Sequence, residues 1–349
     1  MVKILYGVAG EGMGHATRSW VVIKELMKKH KVKVVCGNNA YDFLSIKIKD
    51  IEKIRALRLM YIRNKVSNIK TIIYNIKHLK RGRRRSIKIV EDIIRDFKPD
   101  VVISDFEYFS SFLAKKHKLP LIVIDNNHIT SKTKVSIPKR YVKDFLVNKL
   151  IANVITRKAD YFFLTTFFYP PTKEKNVHLF PPILRKEILS LKPSIKDHIL
   201  VYQTSKPNIR LISALKKIDE NFIVYPIKDK ARNHNIIYKK FNEKEFFNDL
   251  KDCKAVITNG GFSLIGEALY LNKPILSIPL GKHFEQIANA LYLKKFGYGL
   301  FSKRISKHVF RKFLSNINMY RDNLNKCKKE GNSRLFNELE KTIAKLKTH

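Results

Sequence analysis

Short apolar runs alternate with longer stretches of helical periodicity along most of the chain. Val2 to Val8 reads as a buried strand, a helix follows over about Gly14 to Lys29, and Lys33 to Cys36 reads as a second strand. The alternation resumes with strands at Asp100 to Ser104, Leu121 to Asp125 and Tyr161 to Thr165, and a helix over Glu107 to His117. Strands separated by helices must return in the same direction, so the pattern predicts an α/β fold with a parallel sheet covered on both faces.

A second series begins at Ile199. Ile199 to Tyr202, Phe222 to Tyr225, Ala255 to Thr258 and Pro274 to Ile278 read as strands, with helices near Ile209 to Lys217, Glu243 to Leu250, Ser263 to Leu271 and Phe284 to Phe296. At 349 residues the chain exceeds what one core usually serves, so two doubly wound units are expected. Periodicity lapses around Pro170, Pro171, Pro181 and Pro182. The expected division is an N-terminal domain 1–170, a linker 171–196, a C-terminal domain 197–325 and a C-terminal helix 326–349.

Charge changes the picture next. Seventy Lys and Arg against 30 Asp and Glu give a formal net charge of +40, which invites an anionic neighbour: nucleic acid, or the head groups of a membrane. Lysines scattered over solvated faces need no partner. The cluster Lys77, Lys80, Arg81, Arg83, Arg84, Arg85 is denser, and it interrupts a helical stretch over Asn68 to Asp96 with Ile69, Ile72, Ile73, Ile76, Leu79 and then Ile87, Ile89, Val90. That stretch fits an ordinary helix on the sheet or a basic membrane contact, and both can hold. Cys36, Cys253 and Cys327 match no metal-ligand spacing or disulfide framework, which suits a reducing, cytoplasmic setting. The apolar stretch Ile4 to Ala9 is shorter than a signal-peptide core, and no run is long enough to span a bilayer.

The chemistry concentrates after Ala255 to Thr258. The turn Asn259, Gly260, Gly261 leads into a helix at Phe262 and Ser263, and paired glycines there let a phosphate approach the backbone while the helix start favours negative charge. Glu267 follows on that helix, where a carboxylate can accept from ribose hydroxyls. His283, Glu285, Gln286 and Asn289 stand at the next helix, placed to read sugar hydroxyls. In the first half Gly10, Glu11, Gly12, Met13, Gly14 and His15 follow the first strand without the G-x-G-x-x-G spacing. No acid ends the second strand, where Val34, Val35, Cys36 and Gly37 stand, so a nicotinamide oxidoreductase is disfavoured. Asp105 and Glu107 follow another strand end, as do Asp125, Asn126, Asn127 and His128. Asp105 could be a base, an acceptor ligand or a helix cap.

The ordered set from Asn259 to Gln286 resembles the nucleotide-sugar signature of GT-B glycosyltransferases, of the lipid I N-acetylglucosaminyltransferase (family 28) and UDP-glycosyltransferase (family 1) types, and a group of prokaryotic glycosyltransferases known mainly from genomes. The resemblance is specific from about Asn242 to Gly299 and weaker around Gly10 to His15. It implies two Rossmann-like domains facing across a cleft. Asn259 takes the position of a histidine facing the donor diphosphate, Gly261, Phe262 and Ser263 those that cradle phosphate, Glu267 that of the ribose ligand, and Glu285 and Gln286 those that contact the sugar. Gly260 belongs to the same turn. Further candidates for donor phosphate or base are Gly12, Gly14, Phe241 and Ser205, the last in a loop Gln203, Thr204, Ser205, Lys206 that replaces a glycine-rich one.

The expected reaction is direct displacement at the anomeric carbon of a UDP-linked sugar by an acceptor hydroxyl, with inversion implied by the resemblance. His15 or Asp105 is the base and Glu107 an acceptor contact. Fixed dipoles at the Gly260 to Ser263 helix start make a metal or other cofactor dispensable. A nucleotide sugar is thus the expected partner, with an anionic membrane surface and a lipid-linked acceptor beside it, at the inner face of the cell membrane. A sugar-nucleotide epimerase shares this architecture. A nucleic-acid-binding protein would explain the charge and leave the Asn259 to Gln286 set unexplained.

Overall fold

The strand and helix alternation builds two sheets in separate units. The computed structural model describes residues 1–56, 61–62, 65–66, 68–203, 209–227, 231–304 and 306–347, without side chains for 61–81. Unit 1 comprises Met1–Arg185 and Glu330–His349, and unit 2 Lys186–Lys329.

Unit 1 runs β1 (Lys3–Val8), α1 (Met13–Leu26), β2 (Lys31–Cys36), α2 (Asn38–Leu44), β3 (Ile51–Lys53), the two-residue pair β4 (Tyr61–Ile62) and β5 (Lys65–Val66), α3 (Asn68–Phe97), β6 (Val101–Asp105), α4 (Tyr108–Lys116), β7 (Leu121–Asp125), α5 (Ile129–Lys132), α6 (Val142–Ile155), β8 (Tyr161–Thr165) and β9 (Val177–Phe180). Seven of these strands form one sheet in the order β3-β2-β1-β6-β7-β8-β9, all parallel. Its central strands β1, β6 and β7 are buried along nearly their whole length because both faces are covered, with Lys3, Ser104, Asp105 and Asp125 at or next to their ends. α1 and α2 pack on one face with Val22, Ile23 and Leu44, and α3 and α4 on the other with Val90, Ile93 and Leu113. The C-terminal half of α3 is therefore an ordinary sheet-packing helix, and Arg83, Arg84 and Arg85 are solvent-facing. The side chains of Ile69, Ile72, Ile73, Ile76, Lys77, Leu79, Lys80 and Arg81 lie outside the described residues.

Unit 2 runs α7 (Lys186–Leu189), β10 (Ile199–Tyr202), α8 (Ile209–Leu215), β11 (Phe222–Tyr225), β12 (Ala231–Asn233), β13 (Ile236–Tyr238), α9 (Glu243–Asp252), β14 (Ala255–Thr258), α10 (Phe262–Tyr270), β15 (Ile275–Ser277), α11 (Phe284–Lys295), β16 (Gly299–Phe301), α12 (Lys307–Ser315) and α13 (Ile317–Asn325). Its sheet has the order β12-β13-β11-β10-β14-β15-β16, with β12 alone antiparallel to its neighbour. Phe310, Phe313 and Tyr320 from α12 and α13 close one face.

Two boundaries differ from the sequence reading. Residues 171–185 are not linker: Val177 and Phe180 are buried and β9 pairs with β8 as the edge strand of unit 1. Nor does the chain end as a helix of its own. α14 (Ser333–Lys347) returns to unit 1, where Leu335, Leu339 and Ile343, spaced four apart, bury against the β1 and β6 core. Asn332 anchors that return, its side chain bonding both the N–H (2.9 Å) and the carbonyl (2.7 Å) of Leu184. The prolines had masked a strand too short to show its period, and a terminal apolar stripe says nothing of which sheet it will cover.

In an open parallel sheet, ligands gather outside the carboxyl ends of the strands where the strand order reverses. That point falls at β1 and β6 in unit 1, where Val8 lies opposite Asp105, and at β10 and β14 in unit 2, where Tyr202 lies opposite Thr258.

Candidate active site

At the unit 1 reversal point, β1 ends, the loop turns at Gly12 with φ of 81°, and α1 opens with Met13, Gly14 and His15. His15 lies in the first turn, and Arg18 and Ser19 one turn further. All three reach Asp105, the last residue of β6 and only 1% exposed. The carboxylate accepts from Arg18 Nε at 2.8 Å and Nη2 at 2.5 Å, from Ser19 Oγ at 2.8 Å, and lies 2.8 Å from His15 Nδ1. Burial alone would push this carboxyl up in pKa, but the Arg18 and His15 charges and hydrogen bonds overturn that and hold it well below the usual carboxylate range. Asp105 is therefore an anion, enclosed, with its acceptor capacity spent.

That enclosure separates the roles of the two candidate bases. Arg18 Nη2 also lies 2.7 Å from His15 Nδ1, but a guanidinium cannot accept and an ionised carboxylate cannot donate. The tautomer that carries its proton on Nδ1, directed at Asp105, presents the Nε2 lone pair as the basic atom. Arg18 also donates to the side-chain oxygen of Asn126 after β7, so the ends of three elements are clamped by one buried guanidinium. Phe106, stacked 6.2 Å from the His15 ring, has a φ of 54°, a conformation costing a bulky residue about 1–2 kcal/mol.

Sequence reasoning missed Arg18, Ser19 and Phe106. The available signal for Arg18 was its spacing, three residues after His15 and so on the same helical face. Two other expectations are corrected. Glu107, read as an acceptor contact, caps α4: its oxygens accept from Phe109 N at 2.9 Å and Ser110 N at 2.6 Å, and it is 4% exposed. It takes the capping role weighed for Asp105. His128 is wholly buried, with Nδ1 2.6 Å from Asp125 and Nε2 bonding the carbonyl oxygens of Ala152 and Thr156 at 3.0 Å each, which makes it a brace under α6.

In unit 2 the turn after β14 has two different glycines. Gly260 has a φ of 94°, and an added Cβ would stand 2.8 Å from Ser277 Oγ and 3.0 Å from the Gln286 carbonyl oxygen. Gly261, the N-cap of α10, has ordinary dihedrals, and a Cβ there would meet nothing within 4 Å. Gly260 is thus needed to make the turn, and Gly261 leaves its backbone open to approach. No side chain caps α10, and the first-turn N–H groups of any helix lack intrahelical acceptors. Gly260→Ala is expected to destabilise the fold by about 2 kcal/mol. Gly261→Ala should melt like the wild type while weakening UDP binding about tenfold. Thermal melts and calorimetric titration of both variants check this, and equal loss of stability in both would refute the distinction.

The turn is braced by amides expected to touch ligand. Asn259 Nδ2 donates to Ile278 O at 3.1 Å, Asn289 Nδ2 to Gly260 O at 3.0 Å, and Gln286 Oε1 accepts from Leu280 N at 2.9 Å. All three are about 4% exposed. The amides of Asn259 and Asn289 and the side-chain oxygen of Gln286 are thus engaged in the turn itself. Glu267, also 4% exposed, is the lone acid on an apolar helix, roughly 7 Å along the axis from Phe262. Helical side chains lean toward the N-terminus, the end of α10 that opens at the turn. Glu285 and Ser263 are half-buried at the first turns of α11 and α10. Half-buried His283 precedes α11, and desolvation lowers its imidazole pKa.

Phe241 is 44% exposed beyond the ends of β10 and β11, its ring 5.4 Å from Phe246, 6.4 Å from Tyr202 and 6.5 Å from Tyr225. Thr204, Ser205 and Lys206 lie outside the described residues. Among the described residues no group of three or more His, Cys, Asp or Glu is arranged to hold a metal ion.

A sequence-family model described as glycosyl transferase family 1 matches residues 2–318. The chain is 28% identical to an uncharacterized glycosyltransferase of Methanosarcina acetivorans, over 99% of this chain and 97% of the relative. It is 25% identical to the UDP-N-acetylglucosamine-N-acetylmuramyl-(pentapeptide) pyrophosphoryl-undecaprenol N-acetylglucosamine transferase of Rickettsia canadensis, over 80% of this chain and 88% of the relative. Among solved structures, Phytolacca americana UGT2 complexed with UDP-2fluoro-glucose and pterostilbene is similar with a TM-score of 0.68, covering 99% of each chain at 13% identity, a likeness of fold.

Proposed function

The chain belongs to glycosyl transferase family 1 and has the GT-B fold, and on that premise we propose that this glycosyltransferase moves a sugar from a UDP-linked donor to an acceptor hydroxyl by direct displacement. One observation carries the reading: in each unit the chemistry-bearing residues stand at the carboxyl ends of the strands where the order reverses, Asp105 and His15 in one, Gly260 to Ser263 in the other. In this scheme the diphosphate rests on the amides opening α10, Glu267 takes the pentose, Phe241 the base, and Glu285 with the Gln286 amide the sugar. The acceptor oxygen forms its bond to the anomeric carbon as the bond to the diphosphate breaks, with inversion. The proton passes to His15 Nε2 and the electron pair to departing UDP. Charge growing on that group meets the α10 dipole, so no metal is needed in the scheme.

The UDP choice is supported by the names of the relatives: the Rickettsia enzyme uses a UDP-sugar by name, and the Phytolacca protein was solved with one. An undecaprenol-linked acceptor in the same Rickettsia name supports a lipid-linked acceptor here. The test is a thermal-shift screen over nucleotides followed by product analysis. UDP at about 100-fold over its Kd should add about 2.7 kcal/mol, or a few degrees in Tm. Mass spectrometry should then find the sugar on the acceptor. An altered sugar nucleotide formed from donor alone would show epimerisation and end the proposal.

A further inference from the structure

α6 carries an apolar stripe that is left exposed among the described residues of unit 1. Val142, Leu146, Leu150 and Val154 recur every fourth residue along one face and are 39%, 54%, 64% and 60% exposed. Single exposed apolar residues are ordinary, but four in register over roughly 18 Å of helix form a continuous surface. The helix cannot roll to hide it. Its opposite side is fixed by His128 Nε2 to the Ala152 and Thr156 carbonyls, by Thr130 Oγ1 to Asn148 at 3.0 Å, and by Thr156 Oγ1 to Ser111 at 2.8 Å.

The surroundings select the partner. From Lys134 to Lys158 the chain holds seven Lys and Arg against one acid, Asp144. Lys139, Arg140 and Lys143 are exposed at the start of the stripe, and Arg157 and Lys158 just past its end. A second copy, carrying the same +40, would repel that rim. An anionic bilayer accepts both parts, the apolar stripe at the acyl boundary and the cations among head groups. No helix among the described residues is long and apolar enough to cross a membrane, so the element lies on the surface.

We propose that α6 is the membrane-docking face of unit 1, seating the protein on anionic lipid through the Val142 to Val154 stripe and its basic rim. This moves the membrane contact away from the arginines of α3. It rests on the lipid-linked acceptor reading for its purpose only, because its test measures binding and not transfer. The clamp Asp125–His128 adjoins Asn126, which Arg18 holds, so the docking helix and the His15 dyad share one braced framework.

Vesicle flotation of the full chain provides the test, using phosphatidylglycerol mixed with phosphatidylcholine, and phosphatidylcholine alone. Wild type should float with the anionic vesicles, and the paired change Leu146→Gln, Leu150→Gln should reduce that partition about tenfold or more. An unchanged melting curve shows the fold intact, and Leu146→Ala with Leu150→Ala gives a second, milder variant. Arg83→Gln, Arg84→Gln, Arg85→Gln together should float nearly as wild type. Undiminished flotation of both leucine variants, or loss confined to the arginine variant, overturns the proposal. So does a wild-type dimer in light scattering that the leucine changes dissolve, since the stripe would then be a contact between copies.

Discussion

Replacing His15 by alanine lowers kcat/KM for sugar transfer by about three orders of magnitude while leaving UDP affinity within about twofold. In the proposed scheme the base acts on the acceptor hydroxyl and not on the nucleotide, so the loss falls on the chemical step, about 4 kcal/mol of transition-state stabilisation. Asp105→Asn should cost about two orders of magnitude, because the amide still fits beside Nδ1 but no longer fixes its proton there. It carries a second penalty that His15→Ala lacks: the buried Arg18 guanidinium loses its anion, worth about 3 kcal/mol of stability. Melting both variants separates the effects. The sign with pH follows from the depressed Asp105 carboxyl. Its folded pKa lies below its unfolded one, so the stability it contributes is full above the ordinary carboxylate range and drains away as pH falls through and beneath it. An acid limb in kcat/KM at higher pH therefore does not report Asp105. If His15→Ala kept more than about a tenth of wild-type activity, another group would be the base.

Exchanging Glu267 for alanine is expected to weaken UDP binding about 10–100-fold, the value of one or two hydrogen bonds to a charged acceptor in a buried setting. The wild type should prefer UDP over its 2′-deoxy analogue, and the variant should lose that preference, which a merely structural role for Glu267 would not predict. Calorimetric titration of both nucleotides at matched protein stability reads this directly. Unaltered selectivity between the two would remove the ribose from Glu267 and with it the donor assignment to α10.

Most strands and helices were legible because their periods are local. A four-residue apolar run such as Ile199 to Tyr202 and a helix such as Glu243 to Leu250 need only neighbouring residues to declare themselves. The α10 turn was legible for the same reason, since two glycines before a helix mark a turn within consecutive residues. Asn259 and Gln286 were harder. A side-chain amide serves a ligand or a turn equally well, and only the carbonyl of Ile278 and the N–H of Leu280 in reach decide which.

The sequence by itself determined the two parallel units and the order of their chemistry-bearing loops, because hydrophobic period and turn residues act over a few positions. The tertiary structure alone decided that β9 and α14 complete unit 1 and that Arg18 neutralises Asp105 across 87 residues. Each of those outcomes depends on which distant group arrives within about 3 Å, a distance that hydrogen bonds and ion pairs require and no local pattern encodes.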